Sequence, residues 1–426
     1  MSRDVVGEII GYNLPLAKDD HRVKADGGGD LTSQALGRKL EALARSPFSF
    51  FRGTFHLMAT DVLQQRAKGC ERRAPTALIV GDLHLENFGV YRGANGKLVF
   101  DVNDFDDVGF GPADFDLQRL CTSALLIPGL SASVRANAAK AIAKAWADGV
   151  ERIGGRFPVG TYEDDKAEEP VRSLLRGHSG KTRVEQLLKA APDKGHKAFT
   201  LEGSPPKYAR VGKSFVSMVE KSLLDYLAAL KDLKIEVSHT WDVLDVAYRF
   251  KGNGSLGRWR FSALLGRGDE RRIVEIKEAR ESCLDEVLSH PAPQERARAQ
   301  TASIRRMQGS PWPRVAGTHL GKVPALAREV QAEEEKLSTE AFAGKDAGDD
   351  AEAQLVSYAR QCGEVTARMV CRANAPALLD DASFDAQVCA RKALEFAQGY
   401  AAQVESDHKA YLKGRAEIAK ALGVER

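Results

Sequence analysis

The sequence predicts an α+β fold in two lobes, one built on a small antiparallel sheet and the other mainly helical. Residues 242 to 277 alternate in strand-like runs (VLDVAYRF, WRFSALL, RRIVEIK) separated by GNGSLG and GRGDE, the pattern of antiparallel strands joined at glycines. Leu, Phe, Met and Ala recur at helical spacing through residues 32 to 66, 117 to 153 and most of 353 to 422. At 426 residues, 43% of them hydrophobic, the chain exceeds one typical domain and can bury two cores.

In chain order, residues 1–75 are expected to be N-terminal helices, two of them over 32 to 66 with Pro47 as punctuation. Phe48, Phe50, Phe51 and Phe55 read as core there, with Arg52 among them a candidate functional residue. In residues 76–153, apolar runs at Ala77 to Val80 and Leu98 to Val102 flank a turn at Gly93 to Gly96, which gives a strand, a loop and a hairpin return. A helical pattern then runs from Leu117 to about Ile153. Residues 154–240 read as an insertion with helices, loop-rich to about Ser214, and residues 241–330 as the small sheet lobe, turning helical beyond Lys277. In the C-terminal part, residues 331–426, a charged helix end and flexible connection over 331 to 352 precede helices near 353 to 374 and 384 to 422. No internal repeat is visible.

Composition narrows the partners. Lys and Arg total 62 against 59 for Asp and Glu, so the net charge of +3 is small and mixed, and nothing asks for nucleic acid. The cysteines are scattered without C-x-x-C spacing and read as reduced thiols. The N-terminus lacks the apolar run of a signal peptide, and no stretch approaches ~18 apolar residues. The expectation is a soluble cytoplasmic protein without membrane or nucleic-acid partners.

The strongest chemical signal is Gly81-Asp82-Leu83-His84-Leu85-Glu86-Asn87, followed by Asn103-Asp104-Phe105-Asp106. Asp82 and Asn87 stand in the D-x-x-x-x-N spacing of kinase catalytic loops, on a loop leaving a strand, and a second acid follows beyond a hairpin. Phosphoryl transfer needs one carboxylate to orient the attacking hydroxyl, and another carboxylate with an amide oxygen to fix Mg²⁺ against the phosphates. Asp82 is therefore the expected base, with Asn87 and Asp104 as metal ligands. A single Asp beside a Gly more often caps backbone amides, and only the three together carry the chemistry.

The second signal is Gly252-Asn253-Gly254-Ser255-Leu256-Gly257, a complete G-x-G-x-x-G between two strand-like runs. Alone it also fits a hairpin turn, and without a following helix it suits a dinucleotide site poorly. A phosphate-covering hairpin should instead be followed by a strand carrying a Lys, and Val274-Glu275-Ile276-Lys277 supplies it. Gly252, Asn253, Gly254, Ser255, Gly257 and Lys277 are thus the candidate nucleotide ligands. Of the acids that could hold Lys277, Glu281, Glu286 and Glu295, the last is preferred because it starts a long helical run.

Together these segments resemble the aminoglycoside-phosphotransferase-like branch of the kinase-like superfamily, whose G-D-x-H-x-x-N loop precedes an I-D-F/W segment and a D-P-x-x-D-L-type tail. The tail here is Gly111-Pro112-Ala113-Asp114-Phe115-Asp116-Leu117. SPFSFFRG, VGDLHLENFGV, FDVNDFDDVGFGPADFDLQRL, GNGSLG, VEIKEAR and YARQCGEVTARM look more closely like an uncharacterised bacterial family of kinase-like proteins, the domain of unknown function 2252. That likeness spans nearly the whole chain. It implies a kinase-like fold with ATP and Mg²⁺ as cofactors. Departures are Val80 where these enzymes often have His, Asp106 in place of the usual Gly, and Ala302 where the family pattern places an acid.

Motif order is unusual. A standard kinase runs Gly-rich loop, Lys, base, metal Asp, whereas this chain runs Asp82, Asp104, Gly252, Lys277, so the resemblance implies a circularly permuted two-lobed kinase fold. The expected activity is transfer of the ATP γ-phosphoryl group to a hydroxyl of a small molecule, because no A-P-E signature of protein kinases follows Asp104. The alternatives are a nucleotide-binding regulatory pseudokinase and a nucleotidyl transferase or ligase using the same site.

Overall fold

The computed structural model describes residues 3–67, 75–156, 158–236, 241–285, 293–343, 348–379 and 384–424. Its fold is mixed α+β. The chain opens with helices α1 (Val5–Asn13), α2 (Leu31–Ala44), α3 (Pro47–Gly53) and α4 (Phe55–Ala67). Asp30 caps α2 by accepting from the Ser33 amide, and Ser46 caps α3 with Pro47 at its first position. The stretch 32 to 66 thus holds parts of three helices where spacing suggested two, because the chain breaks again at Thr54. The four phenylalanines there are all buried.

Strand β1 (Thr76–Ile79) leads through the 80–87 loop into the hairpin of β2 (Phe88–Arg92) and β3 (Leu98–Val102), and β4 (Gly109–Pro112) returns to pair with β1. Helices α5 (Phe115–Leu125) and α6 (Ala132–Ile153) follow, parted at Pro128 where the pattern had run on. Two short helices, α7 (Val171–His178) and α8 (Arg183–Ala190), and the longer α9 (Lys213–Asp232) occupy the 154–240 stretch.

A six-stranded sheet comes next, built from β5 (Tyr208–Arg210), β6 (Asp242–Arg249), β7 (Arg260–Arg267), β8 (Glu270–Glu278), β9 (Val315–Leu320) and β10 (Val323–Glu329). Its order is β5-β6-β7-β8-β10-β9 and every neighbouring pair is antiparallel. The expectation of helix throughout the chain beyond Lys277 is corrected here. Among the described residues beyond Lys277, α10 (Pro293–Met307) is the helix ahead of the β9–β10 hairpin, whose alternating small residues turn at Gly321 with φ +63°. Residues 331–343 likewise form no helix end; they are irregular chain with a short turn at Thr339–Phe342, ahead of α11 (Ala351–Leu379) and α12 (Ala386–Ala421).

Two large apolar cores organise these elements. One joins the N-terminal helices, β1 to β4, α5, α6, α11 and α12. The other packs α9 on the outer face of the sheet through Leu223 and Tyr226 against Phe261, Val274 and Ile276. Side chains alternate across a strand, so Glu275 and Lys277 point to the opposite face. That face looks onto the helical core and forms one wall of a cleft of about 900 Å³. Among the described residues no helix is long and apolar enough to cross a membrane.

Candidate functional site

The 80–87 loop is held from α5. Asp116 accepts hydrogen bonds from the amides of Val80 (2.8 Å) and Gly81 (2.9 Å), which fixes the chain just before Asp82. Gly81 has φ +85°, and a Cβ there would lie 2.5 Å from the Asp107 carbonyl oxygen, so only glycine fits. One helical turn after Asp116, Arg119 donates from Nε (2.8 Å) and Nη2 to the same oxygen of Asp82. Arg119 is itself fully buried, lying 4.0 Å over the Phe51 ring and donating to the Phe51 carbonyl at 2.8 Å. The Asn87 amide donates from Nδ2 to the Asp82 carbonyl (2.6 Å), leaving its own oxygen as the available acceptor.

Burial raises the Asp82 carboxyl to about 7, with Arg119 pulling it down and Asp107 and Asp104 pushing it up. Its side chain keeps 21% exposure, so it meets solvent at the cleft while its other flank is sealed by Arg119. Asp104 is exposed on the turn after β3, and Asp106 and Asp107 follow it toward the interior. Across the cleft the Lys277 ammonium forms an ion pair with Asp106. Burial lowers Lys277, and Asp104 and Asp82 oppose that shift.

The loop from 252 to 257 joins β6 to β7 and folds over these carboxylates. Gly252 and Gly257 hold φ of +87° and +95°, while at Gly254 a Cβ would meet the Arg52 carbonyl oxygen at 3.1 Å. The buried Lys39 of α2 ties the loop down, donating to the Gly254 carbonyl (2.8 Å) and to Asn13 (2.7 Å).

The two sets of sequence motifs therefore meet. Asp82, Asn87, Asp104, Gly252, Asn253, Gly254 and Ser255 line one pocket, together with Arg52, Asp106, Asp107, Arg258 and Lys336. Lys277 stands on the sheet wall of the adjoining cleft, which shares Asp104, Gly252 and Asn253 with that pocket. Gly257 closes the loop against Leu36. Glu295 lies in the first turn of α10, but its side chain and all of Glu286 fall outside the described residues, and Glu281 is exposed. Among the described residues Lys277 forms its ion pair with Asp106, and α10 reaches the cleft through Gln300, which donates to the Phe105 carbonyl at 2.9 Å. Sequence reasoning also missed Arg119, Arg258 and Lys336. Arg119 had a signal, since it stands one turn from Asp116 in DFDLQRL on the same helix face; the other two had none.

Asn87 and Asp104 offer hard oxygen donors, the chemistry Mg²⁺ prefers when phosphates supply its remaining ligands. Among the described residues no group of three or more His, Cys, Asp or Glu side chains is arranged to hold a metal ion by itself.

Residues 32–414 match the model of the bacterial domain of unknown function 2252, described as an uncharacterized protein conserved in bacteria. The chain belongs to this family. The match takes in every residue of the pocket except Tyr12, including both halves of the site. Neither curated proteins nor solved structures yield a match to the chain.

Proposed function

We propose that this chain is an ATP- and Mg²⁺-dependent phosphotransferase that moves the γ-phosphoryl group to a hydroxyl of a small molecule, on a circularly permuted kinase-like fold. One observation carries the reading: an acidic loop and a Gly-rich loop far apart in sequence line the same pocket, with Lys277 facing Asp106 across the adjoining cleft. Neither half is sufficient alone. The acidic loop lacks a phosphate clamp, and the Gly-rich loop lacks a base.

In this reading the loop at 252–257 covers the phosphates and Lys277 pairs with the inner ones, leaving Asp106 as it does so. Asn87 and Asp104 would hold the magnesium ion, which supplies charge neutralisation as the phosphoryl group moves. Asp82 accepts the proton of the acceptor hydroxyl, whose oxygen bonds the γ-phosphorus as the bond to the bridging oxygen of ADP breaks. Arg119 keeps the carboxylate aimed during that step.

The test is incubation with Mg·ATP and a panel of hydroxyl compounds, read by product mass. A gain of one phosphoryl group with release of ADP is expected, and a nucleotidyl adduct would contradict the reading. Asp104→Ala and Lys277→Ala should each lower turnover on the order of 10²–10³-fold, as loss of one preorganised charge in a closed site does. Wild-type turnover in either variant would remove that residue from the site.

A further inference from the structure

We propose that Lys336 is a further catalytic residue, an ammonium that holds the terminal phosphoryl group of the bound nucleotide. The proposal rests on the nucleotide-site reading above and goes beyond it, because no motif pointed to Lys336 and the 331–352 stretch reads in sequence as a charged helix end and flexible connection.

The segment carrying Lys336 is fixed on both sides. Before it, Glu335 exchanges two backbone hydrogen bonds with Val90 of β2, at 2.8 and 3.2 Å. After it, Thr339 donates its amide (3.1 Å) and hydroxyl (3.0 Å) to one carboxylate oxygen of Glu86, in the loop that also carries Asp82 and Asn87. Lys336 is thereby placed at the pocket that holds Asp82, Asn87 and Asp104.

Among the described Lys and Arg residues lining that pocket, Lys336 is the one without a carboxylate partner. Arg52 is engaged by the second carboxylate oxygen of Glu86 at 2.6 Å, Lys277 by Asp106, and Arg258 bonds the Tyr12 hydroxyl while lying 3.8 Å from both Asp106 and Asp107. With both oxygens of Glu86 taken, Lys336 is left with the Glu86 backbone carbonyl, 3.3 Å away. Among the described residues it has no carboxylate within 4.0 Å. Lys336 also lines the adjoining cleft that holds Asp104 and Lys277. An ammonium at a carboxylate-lined pocket with no carboxylate of its own can donate a charge-assisted hydrogen bond to an anionic ligand.

Position selects which anion. Lys277 serves the inner phosphates, and the acceptor oxygen must lie at Asp82. The group that passes between Asp104 and Asp82 is the terminal phosphoryl, and Lys336 lines the same pocket as both. No bond to the residue forms or breaks. It works by holding charge where the transferring group carries it.

The experiment needs no knowledge of the acceptor. The full chain is titrated calorimetrically, with Mg²⁺ present, against the non-hydrolysable β,γ-imido analogue of ATP and, separately, against ADP. Lys336→Met keeps the length of an exposed side chain and removes only its charge. The expected result is a loss of roughly 10- to 100-fold in affinity for the triphosphate, the worth of one charge-assisted hydrogen bond, with ADP affinity unchanged. Lys336→Arg should retain most of the preference for the triphosphate. An equal loss for both nucleotides, or none for either, would overturn the assignment. Failure of the wild-type chain to bind either nucleotide is a different result: it would remove the nucleotide reading and this proposal with it.

Discussion

Asp82 sits under two opposed forces. Burial and the neighbouring acids raise its carboxyl to about 7, while the sealed guanidinium of Arg119 pulls it down. The proposed base is active only when deprotonated, so kcat/KM should climb with pH through about 7 and level off above it. Arg119→Lys keeps the charge but gives up the two-nitrogen contact, so the downward pull weakens and the acid limb should move to higher pH. A limb that stays in place or moves lower would show that Arg119 does not tune Asp82. Folding carries the opposite sign. A carboxyl raised in the native state favours the protonated form, so its contribution to stability is present at low pH and is lost as pH rises from the unfolded value of ~3.9 toward about 7. Thermal melts of the variant are the needed control, since a buried guanidinium site does not accept an ammonium without cost.

At the scale of elements, the loop at 252–257 has the most restrictive geometry. Gly254 passes so near the Arg52 carbonyl that a Cβ would sit 3.1 Å from it, and the Lys39 ammonium holds the same peptide from the other side. Gly254→Val should lift the loop from its seat and raise KM for the nucleotide about 10-fold or more, a small displacement at a closed site being costly. Thermal melts are the control, because Leu256 of this loop belongs to the core under the sheet and Gly257 packs on Leu36; unchanged KM would mean that the loop does not cover the phosphates. This loop and the 80–87 loop were legible in the sequence because their demands are local, glycine at turns and acids beside them. The β9–β10 hairpin was not. Its run VAGTHLGKVPALARE is rich in Ala and Leu, and only its pairing with β8, Leu326 opposite Lys277, gives it strand character. Lys336 was hidden for the same reason, since Val90 and Glu86, remote in sequence, decide where it points.

For the whole molecule, the central claim is that two motif sets in reversed order build one site. The α+β division and the sheet between 242 and 277 could be read from periodicity, whereas the convergence of Asp82 with Gly252 depends on how the two cores dock, which no local pattern records. Docking is mediated by charge as well as by apolar contact. Asp106 meets Lys277 across the cleft, Lys39 reaches from α2 to the Gly-rich loop, and Arg296 of α10 donates to the Val108 carbonyl at 2.7 Å. The most direct test is a crystal structure of the chain with Mg²⁺ and the β,γ-imido analogue of ATP. The expected result is the triphosphate beneath residues 252–257, its metal on Asn87 and Asp104, and Lys277 released from Asp106 onto the inner phosphates. A nucleotide bound away from Asp82, or the Gly-rich loop lying apart from the phosphates, would contradict it.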